Sequence, residues 1–62
     1  MCQQEFIASE GQTRFLVTKV ELTQFFLVTV DGILITKGYY KNNNTVIFKP
    51  GLRAGTEVII MN

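Results

Sequence analysis

Turn-forming residues interrupt this chain every few positions and leave room only for short extended segments. Asp31-Gly32 separates two apolar runs, Asn42-Asn43-Asn44 separates two more, and Pro50-Gly51 opens a loop that we expect to end at Gly55. Asp, Asn and Gly tolerate the backbone conformations that tight turns require. No segment shows the sustained 3.6-residue apolar repeat of an amphipathic helix. The pattern predicts an all-β protein.

Between these turns lie runs rich in Thr, Val, Ile and Phe, which are typical of strands. We predict about seven short strands, at residues 5–8, 13–17, 25–30, 33–36, 39–40, 45–49 and 57–61. The Asp-Gly pair predicts a two-residue hairpin turn that joins the third of these strands to the fourth. We therefore expect residues 1–62 to form a single domain, a small antiparallel β-sandwich of the immunoglobulin-like class.

The size of the chain limits how stable such a fold is by itself. A domain of about 60 residues buries only about 60% of the surface that its unfolded chain exposes. Small domains usually add disulfides, a metal or a partner chain. This sequence has 62 residues, one cysteine (Cys2) and no histidine. An internal disulfide is therefore excluded, a zinc site of the usual ligands is not expected, and a partner chain remains.

Alternation along the strands predicts two apolar sides. We expect one side to fill the core with Phe26, Val28, Val30, Ile33, Ile35, Val46, Phe48, Val58 and Ile60. The residues of opposite parity are also largely apolar, whereas a free-standing sandwich should be polar outside. We therefore predict a contact with another chain at Phe25, Leu27, Leu34, Ile59 and Met61. The alternative is that these are single exposed apolar residues, which are common on protein surfaces.

Residue types that carry catalysis are sparse in this sequence. Without histidine, neither a Ser/His/Asp nor a Cys/His arrangement can form. The five acidic residues lie mostly beside turns or strand ends, where solvated carboxylates are usual, and the five glycines are scattered rather than grouped as a phosphate-binding loop. We expect no enzyme activity, no cofactor, no metal and no small-molecule substrate.

Charge and hydropathy narrow the choice of partners. The net charge is only +1, and the basic residues are spread along the chain at Arg14, Lys19, Lys37, Lys41, Lys49 and Arg53. A nucleic-acid-binding protein usually has a clustered basic face, so we expect no nucleic-acid partner. The start of the chain does not resemble a signal peptide, and no apolar run approaches the ~20 residues that span a membrane. We expect a soluble protein made in a cytoplasm.

Several segments together resemble the small β-modules of phage tail fibres, tailspikes and related virion appendages. Residues 6–15 are similar to the opening pattern F-x-A-x-x-G-Q-T-x-F, and residues 26–35 to the hairpin pattern L-x-V-x-V-N-G-x-x-L. Residues 38–40 stand in the place of G-x-Y, residues 45–48 in that of T-V-T-F, and residues 52–58 in that of L-x-A-G-D-x-V. The resemblance covers nearly the whole chain in the family's order. It departs at Asp31, where Asn is usual, and at residues 19–22, which replace a proline-bearing loop.

The resemblance implies a phage virion structural protein that acts by binding protein. Modules of this family form symmetric, often trimeric, parts of virions, so it implies a homo-oligomer and other virion proteins as partners. The family usually repeats the module within long fibre chains. Because this chain begins with Met1 and has the length of one module, we expect a separate small protein: a capsid decoration or cement protein, a head fibre or a small tail accessory. Two alternatives stay open, a small nucleic-acid-binding β-barrel and a phage-encoded inhibitor of a host protein.

Overall fold

The computed structural model describes residues 2–22 and 25–62, and seven strands account for most of them. The described residues contain no helix. In chain order the strands are β1 (Gln3–Ile7), β2 (Gln12–Leu16), β3 (Leu27–Val30), β4 (Ile33–Ile35), β5 (Tyr39–Asn42), β6 (Thr45–Leu52) and β7 (Glu57–Met61). The seven predicted strands are all present, with ends that differ by up to three residues.

The strands form two antiparallel sheets that pack on each other. The four-stranded sheet has the order β1-β7-β3-β4, and the three-stranded sheet has the order β2-β6-β5. The predicted small antiparallel β-sandwich is therefore confirmed. It shares the two-sheet architecture of immunoglobulin-like domains and has its own strand order. The last strand lies between the first and the third, so the two ends of the chain meet: the Asn62 N–H donates to the Cys2 carbonyl at 3.1 Å.

Both short hairpins form where the sequence places them. Val30 pairs with Ile33 across the Asp31-Gly32 turn, and both turn residues have positive φ, 51° and 82°. The predicted pairing of the third and fourth strands is thus confirmed. The β5–β6 hairpin turns within the predicted Asn cluster, because Asn42 pairs with Thr45 and Asn43 has φ 55°.

The core lies between the two sheets and agrees largely with the predicted set. Val28, Val46, Phe48, Val58 and Ile60 are buried, while Phe26, Val30 and Ile35 are half-buried and pack against them. The sequence-based list omits Ala8, Phe15, Val17, Val20 and Leu22, which are also buried. Aromatic rings pack edge to face within the core, with Phe15 lying 5.3 Å from Phe6 and 5.4 Å from Phe48 between ring centroids.

The placement of Ile33 in the core is wrong. Its side chain is 68% exposed, although Ile35 on the same side of β4 packs against the core. β4 is an edge strand of the four-stranded sheet, and Ile33 lies at its hairpin end. The core therefore reaches Ile35 and does not reach Ile33.

The crossover between β2 and β3 contributes to the core as well as connecting the sheets. Val20 and Leu22 are 5% and 6% exposed. The Gln4 side-chain oxygen accepts hydrogen bonds from the backbone N–H groups of Thr18 and Lys19, at 2.8 and 3.0 Å. These bonds satisfy turn donors and tie the segment to β1. Residues 23 and 24 lie outside the described part.

The loop predicted to start at Pro50-Gly51 begins later. Both residues belong to β6, which continues to Leu52 through an irregularity in its pairing with β2. The Gly11 N–H donates to the Leu52 carbonyl at 2.7 Å, so the backbone hydrogen bonding resumes after the irregularity. Because Gly51 has no Cβ, its backbone can lie directly against the backbone of Gly11.

Candidate protein-binding face

The candidate site is the outward side of the four-stranded sheet, which we call the apolar face. Directly paired residues of neighbouring strands point to the same side. Leu27 pairs with Met61, and Thr29 pairs with both Ile59 and Leu34, so these side chains form two adjacent rows. Pairing with β1 extends the rows and completes the face, whose members are Gln3, Glu5, Ile7, Leu27, Thr29, Leu34, Glu57, Ile59 and Met61.

Four of the five predicted contact residues therefore lie together. Leu27, Leu34, Ile59 and Met61 occupy the middle and one side of the apolar face. Phe25 precedes β3 by two residues and lies outside the strand, with 73% of its surface exposed. The structure thus brings four predicted residues together and places the fifth beside the strand that carries Leu27. That these residues contact another chain stays a prediction.

The exposed fraction of the apolar side chains depends on whether their strand lies inside the sheet or at its edge. Leu27, Ile59 and Met61 belong to the two inner strands and are half-buried, because neighbours on both sides cover them. Leu34 and Ile7 belong to the edge strands and are 55% and 65% exposed. Sequence reasoning missed Ile7, although its signal was present. Phe6 faces the core, so its neighbour Ile7 must face outward.

Thr29 shows how densely the centre of the face is covered. Its Oγ1 is buried and has no hydrogen-bond partner among the described residues. Ile59 and Leu34 flank it in the same row and offer only apolar side-chain atoms. A buried polar atom without a partner costs about 1–3 kcal/mol. At this position the outward side of the sheet covers a polar atom completely, while the apolar side chains around it stay partly exposed.

Charges are divided between the two sheets, which the linear spacing of the basic residues does not reveal. The charged residues on the four-stranded sheet are both acidic, Glu5 and Glu57, and the described strands of the three-stranded sheet carry only basic ones, Arg14, Lys41 and Lys49. The sheets draw strands from distant parts of the chain, and this folding sorts the charges. The basic residues are spread evenly along the sequence, but the strands that form the two sheets carry charges of opposite sign.

The outward side of the three-stranded sheet has its own mixed character, and we call it the basic face. In one row of this face Ile47 lies between Arg14 and Tyr40. In the next row Thr45 lies between Leu16 and Asn42. Exposed Lys49 follows buried Phe48 on β6, and by strand alternation it belongs to the same side. Leu16 and Tyr40 are 63% and 49% exposed, whereas Ile47 is only 9% exposed beneath its neighbours. A shallow depression of about 190 Å³ lies here, lined by Arg14, Asn42, Asn43, Thr45 and Ile47.

The third basic residue of that sheet has a structural partner. The Lys41 ammonium donates to the Leu22 carbonyl at 2.9 Å and so fastens the crossover to β5. This leaves Arg14 and Lys49 as the charges that the basic face presents outward.

Sites for small ligands are poorly developed in the described part of the chain. No group of three or more Cys, Asp and Glu side chains there could hold a metal ion. A second shallow depression, of about 360 Å³, lies at the end of β2 and is lined by residues 16–21 and Asn44. Cys2 is a free, exposed thiol. Within the described ranges no helix is long and apolar enough to cross a membrane.

Comparison with known proteins finds no match: no family model matches the chain, and no curated protein or solved structure is significantly similar to it.

Proposed function

We propose that this protein is a structural component of a phage particle and that it acts by binding protein through the apolar face. The observation that carries the proposal is the group of outward apolar side chains on adjacent strands, with Leu27 and Met61 in one row and Ile59 and Leu34 on either side of Thr29 in the next. The resemblance of the sequence to phage fibre and tailspike modules supplies the biological setting. The partners would be other virion proteins, further copies of the chain or both, and the protein would reside in the virion.

The energetic basis is the burial of apolar surface. Fully burying a Leu, Ile or Met side chain contributes roughly 1.5–3 kcal/mol, so covering the exposed half of Leu34 contributes about 1 kcal/mol. Ile7 and Phe25 retain still larger exposed fractions. Association costs several kcal/mol, which makes a single contact weak. Repetition on a symmetric particle would convert weak contacts into durable attachment, because each further contact is effectively intramolecular.

One observation favours a second candidate function, nucleic-acid binding. The basic face places Arg14 in one row with the exposed ring of Tyr40, and bases stack on exposed aromatic rings in single-strand binding proteins. The face presents only two outward cations, fewer than the clustered basic surfaces of such proteins. Binding to DNA or RNA that falls steeply as salt rises would support this alternative.

The first test is to locate the protein. Mass spectrometry of purified particles should detect it at a copy number related to particle symmetry. Its presence only in the soluble fraction of infected cells would contradict the proposal and favour an inhibitor of a host protein.

The second test addresses the apolar face directly with a matched pair of variants. Leu34→Lys places a charge on the face, whereas Ile33→Lys places the same charge on the adjacent residue of β4, which points to the other side and is also exposed. We expect Leu34→Lys to weaken binding to particles lacking the protein at least tenfold and Ile33→Lys to leave it nearly unchanged. Equal effects of the two variants would contradict the assignment of the face. Thermal melts of both establish that they remain folded.

A further inference from the structure

We propose that copies of this protein associate head to tail, with the apolar face of one copy seated on the basic face of the next. This inference rests on the proposed function, since it names a second copy as a partner of the apolar face. The two faces are the outward sides of the two sheets of one sandwich, so they point in opposite directions. A contact between two different faces is heterologous, and because these faces are opposed it propagates into an open stack.

Charge complementarity selects this arrangement over a contact between like faces. The apolar face carries Glu5 and Glu57, and the basic face carries Arg14 and Lys49. Pairing two apolar faces would bring four carboxylates together, and pairing two basic faces would bring four cations together. Like-charge contacts disfavour both, and the mixed contact places opposite charges around an apolar centre.

Apolar surface is present on both sides of the proposed contact. The apolar face offers Leu34 and Ile7 as protruding side chains, and the basic face offers Leu16 and Tyr40 beside the depression between Arg14 and Ile47. The Thr29 hydroxyl, which has no hydrogen-bond partner among the described residues, lies in the row of Leu34, within the area that would be covered.

The area available indicates a weak individual contact. The principal extents of the molecule are 27 × 21 × 20 Å. One face therefore offers at most roughly 570 Å² in projection, or about 1,100 Å² for both partners, near the lower limit for a specific interface. Association should depend on protein concentration and should strengthen when many copies are held together. Because packed sheets lie about 10 Å apart, a stack would repeat about every 20 Å along its axis.

Reciprocal charge reversal tests the inference. Glu5→Lys makes the apolar face less acidic, and Arg14→Glu makes the basic face less basic. We expect each variant alone to self-associate roughly fivefold more weakly than the parent at low salt, by sedimentation at several concentrations. An equimolar mixture of the two should recover association, because the altered faces are complementary to each other, and the Glu5→Lys/Arg14→Glu double variant should recover it alone.

Matched controls separate the faces from net charge. Glu21→Lys and Lys37→Glu make the same changes in charge at exposed positions outside both faces, and neither they nor their mixture should alter association. Small-angle scattering of concentrated parent protein should show elongated particles with the repeat of about 20 Å.

Other outcomes would overturn this inference, and they differ from the outcomes that would overturn the proposed function. If Glu5→Lys weakens association and Arg14→Glu does not, or if the mixture fails to recover it, the contact is not head to tail. If the parent protein is monomeric and the Leu34→Lys variant still loses binding to particles, the proposed function stands and this inference is wrong. Loss of DNA binding in Arg14→Glu without any change in self-association would assign the basic face to nucleic acid instead.

Discussion

Asp31 has two structural roles, one through its backbone conformation and one through its side chain, and a series of substitutions can separate them. Its backbone has φ 51°, in the left-handed region that most side chains resist. Its Oδ1 also accepts a hydrogen bond from the Glu57 N–H at 2.9 Å, and its own N–H donates to the Glu57 carbonyl at 2.8 Å. The residue thereby shapes the β3–β4 turn and ties the turn to the start of β7.

Substitutions that remove one or both of these roles should lower the free energy of unfolding by different amounts. An alanine lacks the side-chain acceptor, at about 1 kcal/mol for an exposed hydrogen bond, and resists the left-handed conformation by a further 1 kcal/mol or so. We therefore expect Asp31→Ala to lose about 2 kcal/mol. Asp31→Gly loses only the hydrogen bond, about 1 kcal/mol, since glycine accepts positive φ. Asp31→Asn retains both features and should stay within about 0.5 kcal/mol of the parent.

Urea and thermal unfolding followed by circular dichroism would measure this series. A domain of this size changes its Tm by about 4–8 °C per kcal/mol, so Asp31→Ala should melt roughly 8–16 °C below the parent and Asp31→Gly roughly half as far below. All variants must be compared at one low protein concentration, because self-association raises apparent stability. Equal losses for alanine and glycine would refute the role of backbone conformation. A loss for asparagine as large as that for alanine would refute both roles and indicate that the carboxylate charge matters.

Three further substitutions test other features of the fold by the same melts. Gly32→Val should cost more than about 1 kcal/mol, because φ of 82° is strained for a β-branched residue even though the space around it is open; unchanged stability would show that the turn is wrongly described. Gly51→Ala should cost about 1–3 kcal/mol, since the new methyl carbon would lie 2.7 Å from the Gly11 carbonyl carbon and two backbone segments would have to separate. A neutral result would mean that β6 and the Gly11 turn are not in close contact. Thr29→Val should stabilise the isolated chain by about 1 kcal/mol by removing a buried hydroxyl that has no partner in the described part. Destabilisation would show that this hydroxyl is hydrogen-bonded in solution.

The local pattern of the sequence was sufficient for the strands and for the side of the sheet that each residue occupies. Alternation from Phe26 to Val30 predicts the buried side correctly, because successive side chains of a strand point to opposite faces whatever the strand pairs with. Asp31-Gly32 determines its hairpin for a similar reason, since the turn chemistry resides in those two residues. The same alternation placed Leu27, Leu34, Ile59 and Met61 on the outside.

The packing of distant parts of the chain determined the burial or secondary structure of residues for which alternation along one strand was not enough. Ile33 has the inward parity of a core residue and is exposed, because it lies at the hairpin end of an edge strand, outside the core that Ile35 contacts. Val20 and Leu22 show no strand pattern and are buried, because they pack in the same core cluster as residues of both sheets. Pro50-Gly51 has the composition of a turn and lies within β6, where the neighbouring Gly11 segment accepts it.

The candidate site was likewise predictable in part from the sequence and in part only from the tertiary structure. The sequence by itself determined that this small chain has apolar side chains on both sides of its strands, which is a property of neighbouring residues. Only the tertiary structure decided that β7 lies between β1 and β3, which joins Leu27, Ile59 and Met61 into one surface. It also decided that Glu5 and Arg14, nine positions apart in the chain, belong to opposite sheets. Both depend on which strands pair, and strand pairing is selected by the packing of the whole core, which no local stretch of sequence encodes.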